Sequence, residues 1–402
     1  MSLALVSVVL FGSQAGVVAV LLPTQVAAID PQNKVGNLAI VSAVAFGLTL
    51  FAQPLVGALS DRTRSPLGRR VPWALLGAVV SASALAVLGN ATSILIVGAV
   101  WAVALFALNA VDISISAAVP DRIPARHWPA ALAVIGVGTV AGSAIATVIS
   151  TAMRTQFSTV YAFAGVALVG VTVIYAVVYR EPSSRDRNVV PLTTRGLVAR
   201  LCIYPRDHPA FAWAFAARFL FILGYSLVYT FQLYLVTDLL DLGDNEAART
   251  LGAMTAVATV GVLLGIVGGG WWANRTGKRR SLLVVACVLL IVALLAPVVS
   301  STPAAMMIFS LVKGVAFGIY LPVGSAVANS VLPDRDSSAG KDLGVFNIAT
   351  NAAQAAAPAL AGVIVGSFAN YTAVLVCAVV IVIVSGLAVR RLPDSTNYRA
   401  SS

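Results

Sequence analysis

Long apolar segments separated by short polar ones constrain the fold of this chain more than any other feature. Hydrophobic residues make up 59% of the 402 positions and charged residues only 10%, whereas a soluble domain carries about 25% charge. A run of about 20 apolar residues can cross a bilayer as a helix. The pattern therefore predicts an all-α membrane protein. Its twelve predicted spans lie near Leu3–Val26, Leu38–Leu59, Val71–Gly89, Thr92–Pro120, Ala130–Met153, Val160–Tyr179, Pro209–Leu239, Thr250–Ala273, Ser281–Val299, Ala304–Val331, Leu343–Phe368 and Thr372–Val389.

The spans form two sets of six, separated by the longest segment without a span, Arg180–His208. We expect an N-terminal six-helix bundle at residues 1–180, a cytoplasmic central loop at 181–208 and a C-terminal six-helix bundle at 209–402. Because the number of spans is even, both termini lie on one side of the membrane. The first apolar run has no basic region before it and no cleavage site, so we interpret it as a span and not as a signal peptide.

The net charge of +11 indicates membrane topology and not nucleic-acid binding. Of the 26 Lys and Arg residues, Lys34, Arg154 and Arg249 fall opposite the termini, and Arg218 and Lys313 fall within spans. The other 21 flank the spans on the side of the termini. Basic residues accumulate on the cytoplasmic side of membrane proteins. We therefore expect a plasma-membrane protein with both termini in the cytoplasm, and no nucleic acid as a partner.

One sequence marker occurs in both halves. The first copy is Gly57-Ala-Leu-Ser-Asp61-Arg62, and the second is Gly270-Trp-Trp-Ala-Asn274-Arg275, 213 residues later. Val119-Pro-Asp-Arg122 recurs as Leu332-Pro-Asp-Arg335 at the same offset. A constant offset indicates an internal repeat, so we expect two pseudo-symmetric bundles.

The first copy continues as Ser65-x-x-Gly68-Arg69-Arg70-x-Pro72 between spans two and three. This motif resembles the signature of the major facilitator superfamily. Its spacing is similar to that of the sucrose-transporter and glycoside-pentoside-hexuronide symporter branch. The resemblance implies two six-helix bundles that expose a central cavity alternately to each side, with spans one, four, seven and ten lining the cavity.

The resemblance also implies a cytoplasmic gate at this motif. Asp61 could pair with basic groups or a helix N-terminus across the interface between the halves, and Gly57 would permit close helix contact. Asn274 replaces the acid in the second copy, so we expect the first copy to be the stronger gate. The alternative is that the arginines only set topology. The predicted gate residues are Gly57, Asp61, Arg62, Gly68, Arg69, Arg70, Asn274 and Arg275.

Three ionisable residues lie well inside spans: Asp112 in span four, Arg218 in span seven and Lys313 in span ten. A charge there costs at least about 2.5–3.5 kcal/mol, so each must face a cavity or a partner. The resemblance places all three on cavity-lining spans. The alternatives are a structural ion pair, such as Asp112 with Arg218, and snorkelling of the lysine.

Asp112 is the predicted proton-coupling residue. It stands eight residues before Pro120, where symporters of the resembling branch carry an acid. A carboxyl group in a low-dielectric cavity suits reversible protonation. Melibiose-type sodium symporters have two further acids in span two, where this chain has Thr49 and Gln53. We therefore expect a proton rather than sodium as the coupling ion, and no cofactor or metal.

Polar residues at helical spacing predict a hydrophilic pathway, although an interhelical hydrogen bond could explain any single one. The predicted cavity residues are Gln14, Gln25, Asp112, Arg218, Tyr225, Tyr229, Gln232, Lys313, Tyr320, Asn347, Asn351 and Gln354.

Motifs of other functional classes are absent from the sequence. It has no phosphate-binding Gly-x-x-x-x-Gly-Lys-Ser/Thr loop, so the sequence does not support ATP-driven transport. It also lacks a set of catalytic residues that would indicate an enzyme. The widely spaced Cys202, Cys287 and Cys377 indicate neither a disulfide framework nor a metal site. Span five lacks the Gly-Pro pair typical of drug/proton antiporters of the superfamily.

We therefore expect a monomeric secondary transporter whose partners are a small polar solute and the lipid bilayer. The leading prediction is proton-coupled symport of a sugar, a glycoside or a related solute. The substrate class in this prediction comes from the family resemblance alone. Metabolite or drug efflux is an alternative. Organic-anion transport is another, because Arg218 and Lys313 together outnumber Asp112. A non-transporting receptor is the most distant alternative.

Overall fold

A computed structural model of the protein describes residues 2–122, 128–179, 181–185, 208–240, 242–330, 339–368 and 370–392. Side chains are described at these positions except 118–122, 128–133, 239, 244, 245, 248, 328–330 and 339–347. Twelve helical segments in this part of the chain are long and apolar enough to cross a membrane. The predicted all-α membrane fold is therefore confirmed.

The chain folds into two compact units, unit 1 at Met1–Val198 and unit 2 at Ala199–Ser402. The helices of unit 1 are α1 (Ser2–Gly16), which continues through a π-helical segment (Val17–Leu21) into α2 (Leu22–Ile29), α3 (Lys34–Ser60), α4 (Val71–Leu88), α5 (Ile94–Arg122), α6 (Trp128–Ala152) and α7 (Phe157–Val178). Those of unit 2 are α8 (Pro209–Tyr229), α9 (Gln232–Leu240), α10 (Asp244–Thr276), α11 (Arg279–Val299), α12 (Pro303–Ser330), α13 (Ala339–Phe368) and α14 (Tyr371–Arg390).

The two units repeat one arrangement of packed helices. In unit 1, α1 packs against α6 and α7, α4 packs against α5 and α7, and α3 packs against α5. In unit 2, α8 packs against α13 and α14, α11 packs against α12 and α14, and α10 packs against α12. Each pair in one unit has its counterpart, in the same order along the chain, in the other.

Small residues let the backbones approach closely in both units. A methyl group added at Gly142 of α6 would collide with the Val8 carbonyl of α1. One added at Gly318 of α12 would collide with the Val262 carbonyl of α10. Such contacts favour helix association in lipid, where burying apolar surface gives no driving force.

The first span of each unit is irregular at the same point of the repeat: span one stays helical but contains the π-helical segment, whereas span seven, predicted as one continuous helix, is broken. In span one the π-helical segment precedes Pro23, which has no N–H to offer the Ala19 carbonyl and whose ring crowds it. In span seven, α8 ends at Tyr229 and α9 begins at Gln232. The offset of 213 residues aligns Val17 with Thr230, between α8 and α9.

Candidate functional site

Asp112 is the one predicted cavity residue of unit 1 that carries charge. It lies in α5 and is half-buried, between the buried residues Val111 and Ile115. Its Oδ1 accepts a hydrogen bond from the Ser116 hydroxyl, one turn further along the helix, at 3.2 Å. Among the described residues of unit 1, no basic group forms an ion pair with it. The structure therefore places an ionisable group inside an apolar span, and its described partner in the unit is the neutral Ser116 hydroxyl.

The two glutamines predicted in span one lie in different surroundings. Gln14 is half-buried in α1. Gln25 is buried, and its Nε2 donates to the carbonyls of Leu88 at 2.8 Å and Ala91 at 3.1 Å. Its Oε1 accepts from the Tyr161 hydroxyl at 3.1 Å. Gln25 thus joins α2, the end of α4 and α7.

Three predicted cavity residues of unit 2 lie around the ammonium of a fourth, Lys313. Lys313 is only 2% exposed, and its Nζ donates to Gln232 Oε1 at 2.7 Å. The same Nζ lies 5.5 Å from the ring centroid of Tyr225 and 5.9 Å from that of Tyr229. It lies 4.5 Å from the centroid of Phe309, one turn before it on α12. Such distances allow cation–π attraction.

Phe309 and Phe317 are members of this site that sequence reasoning missed. Phe317 stacks against Tyr225 with ring centroids 4.5 Å apart, and Tyr225 stacks against Tyr229 at 6.0 Å. Both phenylalanines stand four residues from Lys313, so helical spacing was a signal that could have found them. We call Tyr225, Tyr229, Gln232, Phe309, Lys313 and Phe317 the lysine site.

Arg218 belongs to a second, separate group in unit 2. Its Nε donates to Thr350 Oγ1 at 2.8 Å and its Nη1 donates to Ser325 Oγ at 3.2 Å. Ser325 and Lys313 stand twelve residues apart on α12, which is about 18 Å along a helix. The two buried cations of unit 2 therefore occupy different depths. The 213-residue offset aligns Ser325 with Asp112, a signal that sequence reasoning missed.

The other predicted residues of unit 2 form no described hydrogen bond or ring contact with the lysine site, or their side chains are outside the described part of the chain. Tyr320 is buried and stacks on Phe221, with ring centroids 3.6 Å apart. Asn351 and Gln354 are half-buried on α13. Asn347 belongs to α13, but its side chain is outside the described part of the chain.

The first copy of the marker forms an ion-paired loop between α3 and α4. Asp61 Oδ1 accepts from Arg70 Nη2 at 2.8 Å and from Arg69 Nη1 at 3.4 Å. Arg70 Nη1 also contacts the Ser60 hydroxyl at 2.5 Å, and Arg62 Nη1 donates to the Ala58 carbonyl at 2.8 Å. Asp61 is thus paired within its own loop, and its predicted pairing across the halves stays a prediction.

The close helix contact predicted for Gly57 stays a prediction, because no described atom lies near it. A Cβ atom added there would meet no described atom within 4 Å, and the same holds for its repeat partner Gly270. Gly68 has a structural reason to be glycine instead. Its φ is +85°, and a Cβ atom would collide with the Glu181 carboxyl group.

Glu181 and Ser184 bind the gate loop, although sequence reasoning assigned them only to the central loop. Glu181 Oε2 accepts from the backbone N–H of Arg70 at 2.9 Å and of Val71 at 3.3 Å. These groups form the N-terminus of α4, where a carboxylate is favoured. Ser184 Oγ donates to the Thr63 carbonyl at 2.8 Å and accepts from the Ser65 N–H at 3.0 Å. We call Gly68, Glu181 and Ser184 the loop clasp.

The second copy of the marker lacks this network among the described residues. Asn274 and Arg275 are exposed near the end of α10, and the Arg275 guanidinium lies 5.3 Å from the ring centroid of Trp271. α10 ends at Gly277, whose φ is +68°. The two copies therefore share sequence but differ in their local interactions.

Solved structures of transporters resemble the chain over nearly its whole length. A mutant of the nucleoside transporter NupG has a TM-score of 0.78 at 14% identity, covering 97% of this chain and 98% of that one. The inward-facing, unoccupied structure of a bacterial homologue of the human lysosomal transporter Spinster has a TM-score of 0.69 at 16% identity. It covers 97% of this chain and 96% of that one. At such identities the likeness shows the fold alone.

A search of the curated proteins finds no match to the chain. The profile of the Major Facilitator Superfamily matches residues 3–248 and 214–401, which together span both units. Twelve membrane spans, a repeated arrangement of packed helices and ionisable groups within the spans agree with that profile. The chain belongs to the major facilitator superfamily and is a multi-pass membrane transporter.

Proposed function

We propose that the protein is a proton-coupled symporter of a sugar, a glycoside or a related small polar solute. The observation that carries the coupling is Asp112, a carboxyl group inside an apolar span whose partner within unit 1 is the neutral Ser116 hydroxyl. A carboxyl group held in a permanent ion pair could not exchange its proton without losing that pair. Asp112 is under no such constraint within its unit, so protonation can accompany each transport cycle.

The aromatic and amide groups of unit 2 support a hydroxyl-bearing solute. Tyr225, Tyr229 and Phe317 are half-buried, and Gln232 supplies both a donor and an acceptor. Flat aromatic faces pack against the apolar face of a sugar ring, while amide and hydroxyl groups bind its hydroxyls. The nucleoside transporter NupG agrees with this class, since a nucleoside is itself a glycoside. Efflux of drugs has no comparable observation in its favour.

The break between α8 and α9, with the π-helical segment at the equivalent position of span one, supports a solute site beside Gln232. In several transporter folds, discontinuous helices form the substrate site. Gln232 is the first residue of α9, directly after the interruption. The amide that contacts Lys313 therefore stands where the span is interrupted.

Solute counterflow in proteoliposomes tests the substrate class. Vesicles loaded with unlabelled solute take up the same labelled solute transiently through a carrier, with no energy source. We expect exchange for at least one member of a panel of monosaccharides, β-glycosides and nucleosides. If the protein exchanges only lipophilic drugs, drug efflux is the better-supported function. If it exchanges no solute of the panel, transport of this class is refuted.

A further inference from the structure

The end of α10 carries two adjacent tryptophans on the protein surface. Trp271 is 60% exposed and Trp272 is 53% exposed. Trp271 continues a stripe of exposed apolar residues that recur three or four positions apart, Val260, Leu264 and Val267. Residues at this spacing share one face of a helix, and an exposed apolar face of a spanning helix contacts lipid. Tryptophan is enriched where the hydrocarbon meets the head groups, so Trp271 marks the membrane surface at this end of α10.

Basic residues follow the tryptophans directly. Arg275 is exposed and stands four residues after Trp271, which is about 6 Å further along the helix. Its guanidinium lies 5.3 Å from the Trp271 ring centroid, within the range of cation–π attraction. Lys278 is exposed in the turn that follows, and α11 begins with Arg279 and Arg280. The head-group layer is about 5–7 Å thick on each side of a bilayer, so these charges stand within it.

Unit 2 supplies no described counter-ion to the exposed part of this segment. In the first copy of the marker, Asp61 pairs with two arginines of its own loop. Asn274 takes the place of that acid, and the sequence has no Asp or Glu at any position from 247 to 333. Among the described residues of unit 2, no acid forms an ion pair with Arg275 or Lys278. The two cations are therefore available to an anion from the surroundings.

We infer that Trp271, Trp272, Arg275 and Lys278 form a binding site for an anionic phospholipid, and we call these residues the lipid site. The guanidinium and the ammonium bind the phosphate through charge-assisted hydrogen bonds. The exposed stripe of α10 receives an acyl chain, and the tryptophan rings lie beside the glycerol region between them. Basic side chains next to a membrane span attract anionic lipids in this way. The inference concerns the membrane partner and is independent of the transported solute.

Membrane topology alone does not account for the lipid site. Topology depends on the charge of a loop, and both units carry basic residues at this point of the repeat. The 213-residue offset aligns Trp271 and Trp272 with Ala58 and Leu59, so the tryptophan pair occurs in unit 2 alone. A purely topological role predicts no preference for one lipid over another, whereas the lipid site predicts such a preference.

Native mass spectrometry of the purified full-length protein in detergent tests the inference. Dioleoyl phosphatidylglycerol is the anionic probe, and dioleoyl phosphatidylcholine, with the same acyl chains, is the zwitterionic one. Each cation near a membrane surface strengthens anionic lipid binding about fivefold. We therefore expect wild-type protein to bind its first phosphatidylglycerol roughly tenfold to thirtyfold more tightly than its first phosphatidylcholine.

Matched double variants locate this preference. Arg275→Gln with Lys278→Gln removes both charges of the lipid site and should reduce the preference to about twofold or less, by the same reasoning. Arg64→Gln with Arg185→Gln removes two exposed cations of unit 1, on the side of the membrane where the termini are expected, and should leave the preference unchanged.

The aromatic part of the site is tested at Trp271. Trp271→Leu keeps an apolar side chain but removes the face over which the Arg275 guanidinium lies. It should weaken phosphatidylglycerol binding about twofold to fivefold, the range of an exposed cation–π contact. Trp271→Phe retains an aromatic face and should recover part of that loss, which an effect of apolar contact alone would not explain.

Two results overturn the inference. Wild-type protein that binds the two lipids equally well refutes it without any variant. A preference that survives in Arg275→Gln with Lys278→Gln, or that falls equally in both double variants, shows that the anionic lipid binds elsewhere or follows total charge only.

Discussion

Gln25 in α2 holds three helices of unit 1 together through a single amide group. It donates to the Leu88 and Ala91 carbonyls and accepts from Tyr161, all within buried or part-buried surroundings. The sequence predicted this residue as part of the cavity because it is a polar residue in a span. Its polarity was visible in the sequence, but its three partners lie more than 60 positions away. Spacing within one helix could not identify them.

Gln25→Leu should therefore destabilise the protein. The change removes the donor to the Ala91 carbonyl, the acceptor of the Tyr161 hydroxyl and one of the two donors to the Leu88 carbonyl. An unsatisfied buried group costs roughly 1–3 kcal/mol. We expect a lower thermal unfolding midpoint in detergent, and a smaller decrease for Tyr161→Phe, which removes one of the three bonds. An unchanged midpoint in Gln25→Leu, together with a loss of solute binding, would contradict the structural role.

Asp112→Asn should separate exchange from accumulation. The amide keeps the size of the side chain and its contact with Ser116 but cannot release a proton. We expect counterflow to persist at about the wild-type rate within a factor of a few, and uptake driven by a proton gradient to disappear. Glu246→Gln, an exposed change outside the apolar span window, is the control and should leave both activities unchanged. Gradient-driven uptake that survives in Asp112→Asn would exclude this residue from coupling.

At the scale of secondary structure, the loop clasp connects two segments that lie far apart in the sequence. Glu181 and Ser184 follow α7, yet they bind the loop between α3 and α4. The arginine-rich motif identified the loop as a special feature, because it matches a known signature. Nothing local in residues 181–184 identified their role, since a carboxylate that caps a distant helix leaves no periodic pattern. The fold, and not the motif, brings them together.

Gly68→Ala and Gly277→Ala form a matched pair that tests the clasp. Both glycines have a positive φ, and an alanine in that conformation costs about 1–2 kcal/mol. Only at Gly68 would the new methyl group also collide with Glu181, because the space at Gly277 is open. We expect Gly68→Ala to lower the unfolding midpoint more than Gly277→Ala.

A double-mutant comparison assigns the difference to the clasp. When Glu181→Ala is combined with Gly68→Ala, the methyl group no longer meets a carboxyl group. Measured against Glu181→Ala alone, Gly68→Ala should then lower the unfolding midpoint no more than Gly277→Ala lowers it in the wild-type protein. Equal midpoints for the two single glycine variants would show that Glu181 is not held against the loop.

In spans one and seven, the sequence predicted the span but not the irregularity of its helix. Apolar length alone predicted every span, because crossing a bilayer demands it. The π-helical segment before Pro23 and the break at Thr230 were missed. A proline near the end of a span was a local signal for the first of these. For the second, the Thr230 hydroxyl donates to the Ser226 carbonyl at 3.2 Å, a contact that sequence alone does not distinguish from an ordinary helical threonine.

At the scale of the whole molecule, two copies of one helical frame carry different chemistry. The same helix pairs pack together in each unit. The 213-residue offset nevertheless aligns Asp112 with Ser325, Lys313 with Val100 and Arg218 with Leu5. Small residues at helix contacts preserve the frame, while the ionisable residues differ between the copies. Unit 1 therefore holds the intramembrane acid and unit 2 the intramembrane bases.

The orientation of this frame is a separate prediction, and cysteine labelling tests it. In a variant with Cys202, Cys287 and Cys377 replaced by serine, Asn90→Cys should react with a membrane-impermeant maleimide added to intact cells. Ser183→Cys should react only after the membrane is permeabilised. Both positions are exposed in the structure, so access to the reagent depends on the side of the membrane. The reverse pattern would place the termini outside the cytoplasm.

Proton movement that depends on solute tests the proposed transport most directly. Proteoliposomes containing a pH-sensitive dye are prepared with equal pH inside and outside, and the solute that exchanges best in counterflow is added outside. The account predicts that the lumen becomes more acidic as the solute enters, and that Asp112→Asn vesicles exchange the solute without this change. Entry of solute into wild-type vesicles with no acidification of the lumen would contradict proton-coupled symport.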